Sequence, residues 1–140
     1  MVDFATNIIA EPEAISALTE RVSGFLADSA VDSRAVHHVA LVLDELLTNV
    51  AMHGGASNQA SASVKITVSA DRVTAEIVDA GAMFDPCREP SVDLSLGIKE
   101  RAIGGLGLLL VHRVTEGFEY QRVGDRNRTI FWVKRAPAGQ

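Results

Sequence analysis

Asp79-Ala80-Gly81-Ala82-Met83-Phe84-Asp85-Pro86 and, further on, Gly104-Gly105-Leu106-Gly107 form the stretch on which the reading of this chain turns. An acidic residue closes an apolar, strand-like run, Ala75 to Val78, and a glycine-containing turn follows at once. The Gly-Gly-Leu-Gly cluster then opens an apolar helical pattern, Leu108 to Val114. Glycine lets a backbone approach a base or phosphate closely, because no Cβ intervenes. A glycine-rich loop feeding a helix N-terminus also offers unpaired N–H groups and a positive dipole end to an anion. Either cluster alone reads as an ordinary turn. Two glycine positions with an exposed carboxylate between them suggest a ligand cradle.

Working outward, Val64, Ile66 and Val68 alternate with polar residues, Asp71-Arg72 turns the chain, and Val73, Ala75 and Ile77 alternate again, which predicts a β-hairpin. Residues 56–63 before it read as a polar loop. A last hairpin is predicted from Phe118 to Val123, a Gly124-Asp125-Arg126-Asn127 turn, and Thr129 to Lys134. Residues 2–9 alternate loosely and suit an edge strand. Glu11-Pro12-Glu13 opens a helix, since proline fits a first turn and acids suit its positive end. Ile15, Leu18, Val22, Phe25 and Leu26 carry that helix to about Ala30 at three- and four-residue spacing. Asp32 or Ser33 caps a second helix, with Val36, Val39, Ala40, Leu43, Leu46, Leu47 and Val50 on one face and Gly54-Gly55 at its end. A third helix is predicted from Gly107 to about Thr115. Strands and helices in separate runs indicate an α+β, two-layer α/β sandwich: a mostly antiparallel mixed sheet covered on one face by about three helices. One domain over residues 1–135 and a loose tail at 136–140 are expected.

The second helix also carries Glu45, Asn49 and His53, four residues apart and so on one face. Beside an apolar seam such groups must be paired, solvated or bound to a ligand. Alone they read as the exposed flank of an amphipathic helix; with the carboxylate–glycine turn they read as a site. An Asn oxygen and phosphate oxygens are the hard ligands that Mg²⁺ prefers. A Glu one turn away could accept a proton from an attacking hydroxyl.

The bulk numbers narrow the class. The chain has 140 residues, 47% hydrophobic and 22% charged, as a globular domain has. No run approaches the roughly 18 consecutive apolar residues of a membrane helix, and Met1-Val2-Asp3-Phe4 starts no signal-peptide pattern. The single cysteine, Cys87, excludes an internal disulfide and fits a reducing compartment, so a cytoplasmic location is expected. Cys87 reads as an incidental loop residue rather than a redox or nucleophilic one. The net charge of −5 argues against direct nucleic-acid binding, which wants a basic face. Residues 81–140 are modestly basic. Arg122, Arg126, Arg128, Lys134 and Arg135 read as a solvated strand face, with an acidic ligand or protein as the alternative.

Three ordered blocks now stand together: Glu45-Leu46-Leu47-Thr48-Asn49 with His53-Gly54, Asp79-x-Gly81 with Phe84-Asp85-Pro86, and Gly104-Gly105-Leu106-Gly107. Over nearly its whole length the chain resembles the GHKL ATPase superfamily, with its Asn box and two glycine boxes in this order. Within it the chain is similar to RsbW-type serine protein kinases, the anti-sigma factors of bacterial partner-switching systems. The resemblance implies a Bergerat ATP-binding fold. It implies that Asn49 coordinates Mg²⁺, that Glu45 is the general base on a substrate serine, and that Asp79 accepts a hydrogen bond from the adenine amino group. Gly81 would let the base approach, and Gly105 and Gly107 would wrap the phosphates, with Gly104, Leu106, His53 and Phe84 in the same nucleotide site. Thr129 would contact adenine less directly. Residues 87–103 would form a short ATP lid, from which Lys99 or Arg101 could reach the terminal phosphate.

Two departures stand out. Met83 occupies a position where many superfamily members have a second glycine or a proline. No separate phospho-accepting histidine on a dimerisation helix fits within these residues; His37-His38 lies in the Asn-box helix and reads as surface or subcore. The resemblance thus implies an ATP-dependent serine kinase that phosphorylates a STAS-type anti-sigma antagonist and otherwise sequesters a sigma factor, as a homodimer without membrane or nucleic-acid contacts. The alternatives are a nucleotide-gated protein-binding regulator without significant turnover and, more weakly, a stand-alone ATPase.

Overall fold

A computed structural model describes residues 1–53, 61–82, 85 and 105–137. Among the described residues, five strands and three helices follow the order β1 (Val2–Ile9), α1 (Pro12–Asp28), α2 (Ser33–His53), β2 (Ser61–Val68), β3 (Arg72–Asp79), α3 (Gly105–Val114), β4 (Gly117–Val123), β5 (Arg126–Lys134). The sheet order is β1-β2-β3-β5-β4, and all four pairings are antiparallel. The helices line one face of it, as the separate runs of helix and strand required.

Helix α1 starts at Pro12, with Glu11 extended before it and Glu13 in the first turn. Ile15, Leu18, Val22 and Leu26 form its buried stripe. It ends two residues short of Ala30. The N–H of Ala30 donates to the Ala27 carbonyl and that of Val31 to the Leu26 carbonyl, a Schellman arrangement. Ala30 therefore takes φ of 61°, a left-handed conformation that costs a side-chain-bearing residue about 1–2 kcal/mol.

Asp32 caps α2. Its Oδ2 accepts the N–H of Ala35 at 3.2 Å, and its Oδ1 accepts the N–H of Ala136 at 2.7 Å. These bonds, that to Ala136 foremost, hold the Asp32 carboxyl below its ordinary pKa. Arg34 adds a bond from its guanidinium to the Lys134 carbonyl at 2.7 Å. The start of α2 is thus fastened to the far end of β5. By length and composition alone α2 could cross a membrane. Here its apolar stripe is core: Ala35, Val39, Val42, Leu43, Leu46 and Leu47 are buried against α1, α3 and the sheet.

The sheet differs from the sequence reading at two places. Residues 61–63, assigned to a polar loop, already belong to β2, where Ala62 is buried opposite Asp79. The last hairpin turns on Gly124 and Asp125 alone, with Val123 paired to Arg126, so Arg126 and Asn127 are strand residues. Gly124 has φ of 60° at the first central position, as a type II′ hairpin turn requires. The basic residues of the second half do not share one solvated face either. Arg135 is buried and donates to the carbonyls of Ser69 and Ala30, closing the end of the sheet onto the α1–α2 junction. Arg122 turns inward, whereas Arg128 pairs with Glu76 at 2.7 Å on the open face.

Candidate functional site

The helix-facing side of the sheet changes character along its length. On β5 the inward residues are Val133, Phe131, Thr129 and Asn127; on β3 they are Val73, Ala75, Ile77 and Asp79. Register makes these rows. Val73 pairs with Val133, Ala75 with Phe131, Ile77 with Thr129, and Asp79 with Asn127. Strand β4 extends them, bringing Phe118 to Phe131, Tyr120 to Thr129 and Arg122 to Asn127. An apolar core at one end therefore gives way to a polar row, Asp79–Asn127–Arg122, at the other.

Buried polar groups must be paired, and this row is. Asp79 Oδ2 accepts the Gly81 N–H at 3.3 Å and the Asn127 side-chain amide at 3.1 Å. The same amide nitrogen donates to the Ala82 carbonyl at 2.9 Å. Asn127 Oδ1 accepts from the Tyr120 hydroxyl and from the Arg122 guanidinium, the latter at 3.0 Å. Arg122 donates as well to the Gly81 carbonyl at 2.9 Å. The turn after β3 is therefore held by side chains of β4 and β5.

Helix α2 brings the second half of the site to this end. Its start is pinned beside Lys134, and it packs on β3 and β5. From Arg34 to Asn49 the helix rises about 22 Å; from Lys134 to Asn127 the strand runs about 23 Å. A helix lying along β5 thus carries Asn49 to the height of the polar row. Asn49 is buried, and its amide Nδ2 has no partner among the described residues. Leaving such a donor unpaired costs about 1–3 kcal/mol. Glu45, one turn earlier, is partly buried. Burial pushes its carboxyl pKa above the ordinary value, and the neighbouring Asp44 charge adds to the effect.

The other expected site residues fall as follows. Thr129 is buried on β5, one row inward from Asn127. Gly105, Leu106 and Gly107 form the first turn of α3, which starts two residues earlier than its apolar pattern suggested. His53 is the last residue of α2. Phe84, Lys99, Arg101 and Gly104, with Met83, Cys87 and the lid at 87–103, lie outside the described residues. Asn127 and Tyr120 were not singled out by the sequence as site residues, and Arg122 was read only among the basic residues of a solvated strand face. A two-residue Gly124-Asp125 turn was the signal that could have placed Asn127 in the strand.

Among the described residues no cluster of three or more His, Cys, Asp or Glu could hold a metal by itself. The arrangement suits a ligand that brings its own anionic oxygens: a carboxylate in a rigid turn for a polar base, a glycine-opened helix start, and a buried amide that offers an oxygen to a cation and N–H groups to a phosphate.

The model of the histidine kinase-like ATPase domain family matches residues 8–133. No curated protein matches the chain. The RsbU and RsbW domains of Rv1364c from Mycobacterium tuberculosis superpose with a TM-score of 0.67 at 12% identity, over 99% of this chain and 33% of that one. This chain therefore spans about a third of the length of that two-domain chain. In the SiaB–SiaC complex from Pseudomonas aeruginosa the match has a TM-score of 0.62 at 16% identity, over 94% of this chain and 89% of that one. The mycobacterial sensor histidine kinase MprB gives 0.52 at 12% identity, over 97% and 99%. At these identities the likeness is one of fold.

Proposed function

The chain belongs to the histidine kinase-like ATPase domain family, and we propose that within it the protein is an ATP-dependent serine protein kinase and anti-sigma factor of a bacterial partner-switching pathway. ATP is the nucleotide that membership of the family implies. The finer reading rests on one observation: Glu45, a carboxylate with a raised pKa, stands one turn from Asn49, whose buried Nδ2 has no partner among the described residues. Likeness of fold to an RsbW domain and to a chain of the SiaB–SiaC complex supports the same reading.

In this reading Asp79 accepts the 6-amino group of adenine, and Gly81 leaves room for the base. The first turn of α3 faces the phosphates. The Asn49 oxygen would hold Mg²⁺ together with phosphate oxygens; that ion, when bound, neutralises charge on the triphosphate. Glu45 takes the proton of a substrate serine hydroxyl as the serine oxygen bonds to the γ-phosphorus. The bond from that phosphorus to the bridging oxygen breaks, and ADP leaves with the electron pair. A carboxylate with a raised pKa is a better base than an ordinary one, provided the pH keeps it ionised.

The substrate we propose is a STAS-domain anti-sigma antagonist in the cytoplasm. The sigma factor is the partner held when the antagonist is phosphorylated, and a homodimer is the assembly. Transfer of label from γ-labelled ATP in a lysate of the source organism tests this. One small labelled protein is expected with wild type and none with Glu45→Ala, while both bind ATP. Binding of ATP by wild type with no labelled protein at all would sink the kinase.

A further inference from the structure

We propose that Asn127, held by Tyr120 and Arg122, is a positioning residue for adenine recognition, fixing which oxygen of Asp79 is offered to the base. The proposal rests on the nucleotide reading of Asp79 given above. An Asn amide has two N–H donors and one oxygen with two acceptor sites. Here all are engaged: the donors on Asp79 Oδ2 and the Ala82 carbonyl, the acceptor sites on the Tyr120 hydroxyl and the Arg122 guanidinium. The amide cannot flip. Reversed, it would set its oxygen against a carboxylate and a carbonyl, and its NH₂ against a guanidinium.

This orientation has a consequence for Asp79. Both of its hydrogen bonds among the described residues, from the Gly81 N–H and from Asn127, fall on Oδ2. Among the described residues Oδ1 receives none, so it is the oxygen left to accept a 6-amino group. The donor chain from Arg122 and Tyr120 through Asn127 also polarises the amide, which strengthens its bond to Oδ2. Asn127 and Arg122 meanwhile hold the carbonyls of Gly81 and Ala82, so the same two side chains set the turn beside which the base would lie.

Direct binding of two nucleotides tests the assignment: ATP, and purine riboside triphosphate, which lacks only the 6-amino group. Wild type should prefer ATP. Asn127→Ala should weaken ATP by about tenfold, the size of one lost charged hydrogen bond, and leave the analogue nearly unchanged, so that the preference collapses. Asn127→Asp keeps the shape but sets a carboxylate against Asp79, and should do worse than alanine. Tyr120→Phe removes a single hydroxyl and should lower the ATP preference in the same direction by less, in a chain that folds. An unchanged ATP preference in Asn127→Ala and Tyr120→Phe overturns the role of Asn127 alone. Equal loss of both nucleotides overturns it too, since that marks a structural part only. Wild type without any preference for the amino group removes the adenine reading of Asp79, and this proposal with it.

Discussion

Asp79→Asn separates recognition of the base from integrity of the turn, because the structure dictates how the new amide must sit. Its inner side meets two donors, the Gly81 N–H and the Asn127 amide. An amide at position 79 can satisfy both only by turning its own oxygen inward. Its NH₂ then faces the base, where the carboxylate oxygen stood. Against adenine this sets donor against donor. The variant loses a charge-assisted hydrogen bond worth about 1.5–3 kcal/mol, which is roughly ten- to hundredfold in ATP affinity. The desolvated donor adds to that. Against a 6-oxo purine the new NH₂ finds an acceptor, so ITP should gain on ATP and the order of preference narrow or invert. Because the inner bonds survive, the Tm should shift by no more than a few degrees. Titration calorimetry with ATP and ITP, beside a thermal melt, measures all three quantities. ATP affinity kept within about threefold would refute the adenine role of Asp79. A large fall in Tm accompanying the loss of ATP would refute the argument that the inward oxygen preserves the turn.

Three further outcomes rest on other contacts of the same domain. Glu45 has a folded-state pKa above its ordinary value, so its ionised form opposes folding, and the cost is present at neutral pH and vanishes as pH falls below the ordinary value. Glu45→Gln should therefore melt higher than wild type near pH 8, with the gap closing toward pH 4, while phosphoryl transfer is lost; a lower Tm at pH 8 would contradict the burial of that carboxylate. Ala30→Gly relieves the left-handed strain at φ of 61° and should stabilise the domain by about 0.5–1 kcal/mol in urea unfolding; destabilisation would mean the Schellman turn is absent. Gly117→Ala would place a Cβ 1.8 Å from the Trp132 ring, forcing the only tryptophan of the chain off its perch beside Arg72. It should cost about 1–3 kcal/mol and shift the intrinsic fluorescence, and an unchanged spectrum would rule out the contact.

Local pattern carried most of the fold into view. The alternation in β2 and β3 and the stripes of α1 and α2 are each written in a short local run, and an element of the expected kind formed over each of them. What stayed hidden is the site's inner support, and β5 explains why. Ile130, Phe131, Trp132 and Val133 are apolar in succession, so alternation does not say which face of that strand is inward. The turn length then decides the rows. With four turn residues, Arg122 would stand opposite Thr129; with the two the structure uses, it stands opposite Asn127. A slip of two residues keeps each side chain on its face but moves every partner one row along the sheet. Asn127 passes in that step from a solvated loop to the residue between Asp79 and Arg122. The carboxylate–glycine turn could thus be found from its own residues, whereas what holds it rigid depends on register. That dependence makes turn length itself functional: a residue inserted between Gly124 and Asp125 would leave Asn127 paired across β3 with Asp79 but shift β4, taking Tyr120 and Arg122 away from the Asn127 oxygen, and ATP preference should fall with it.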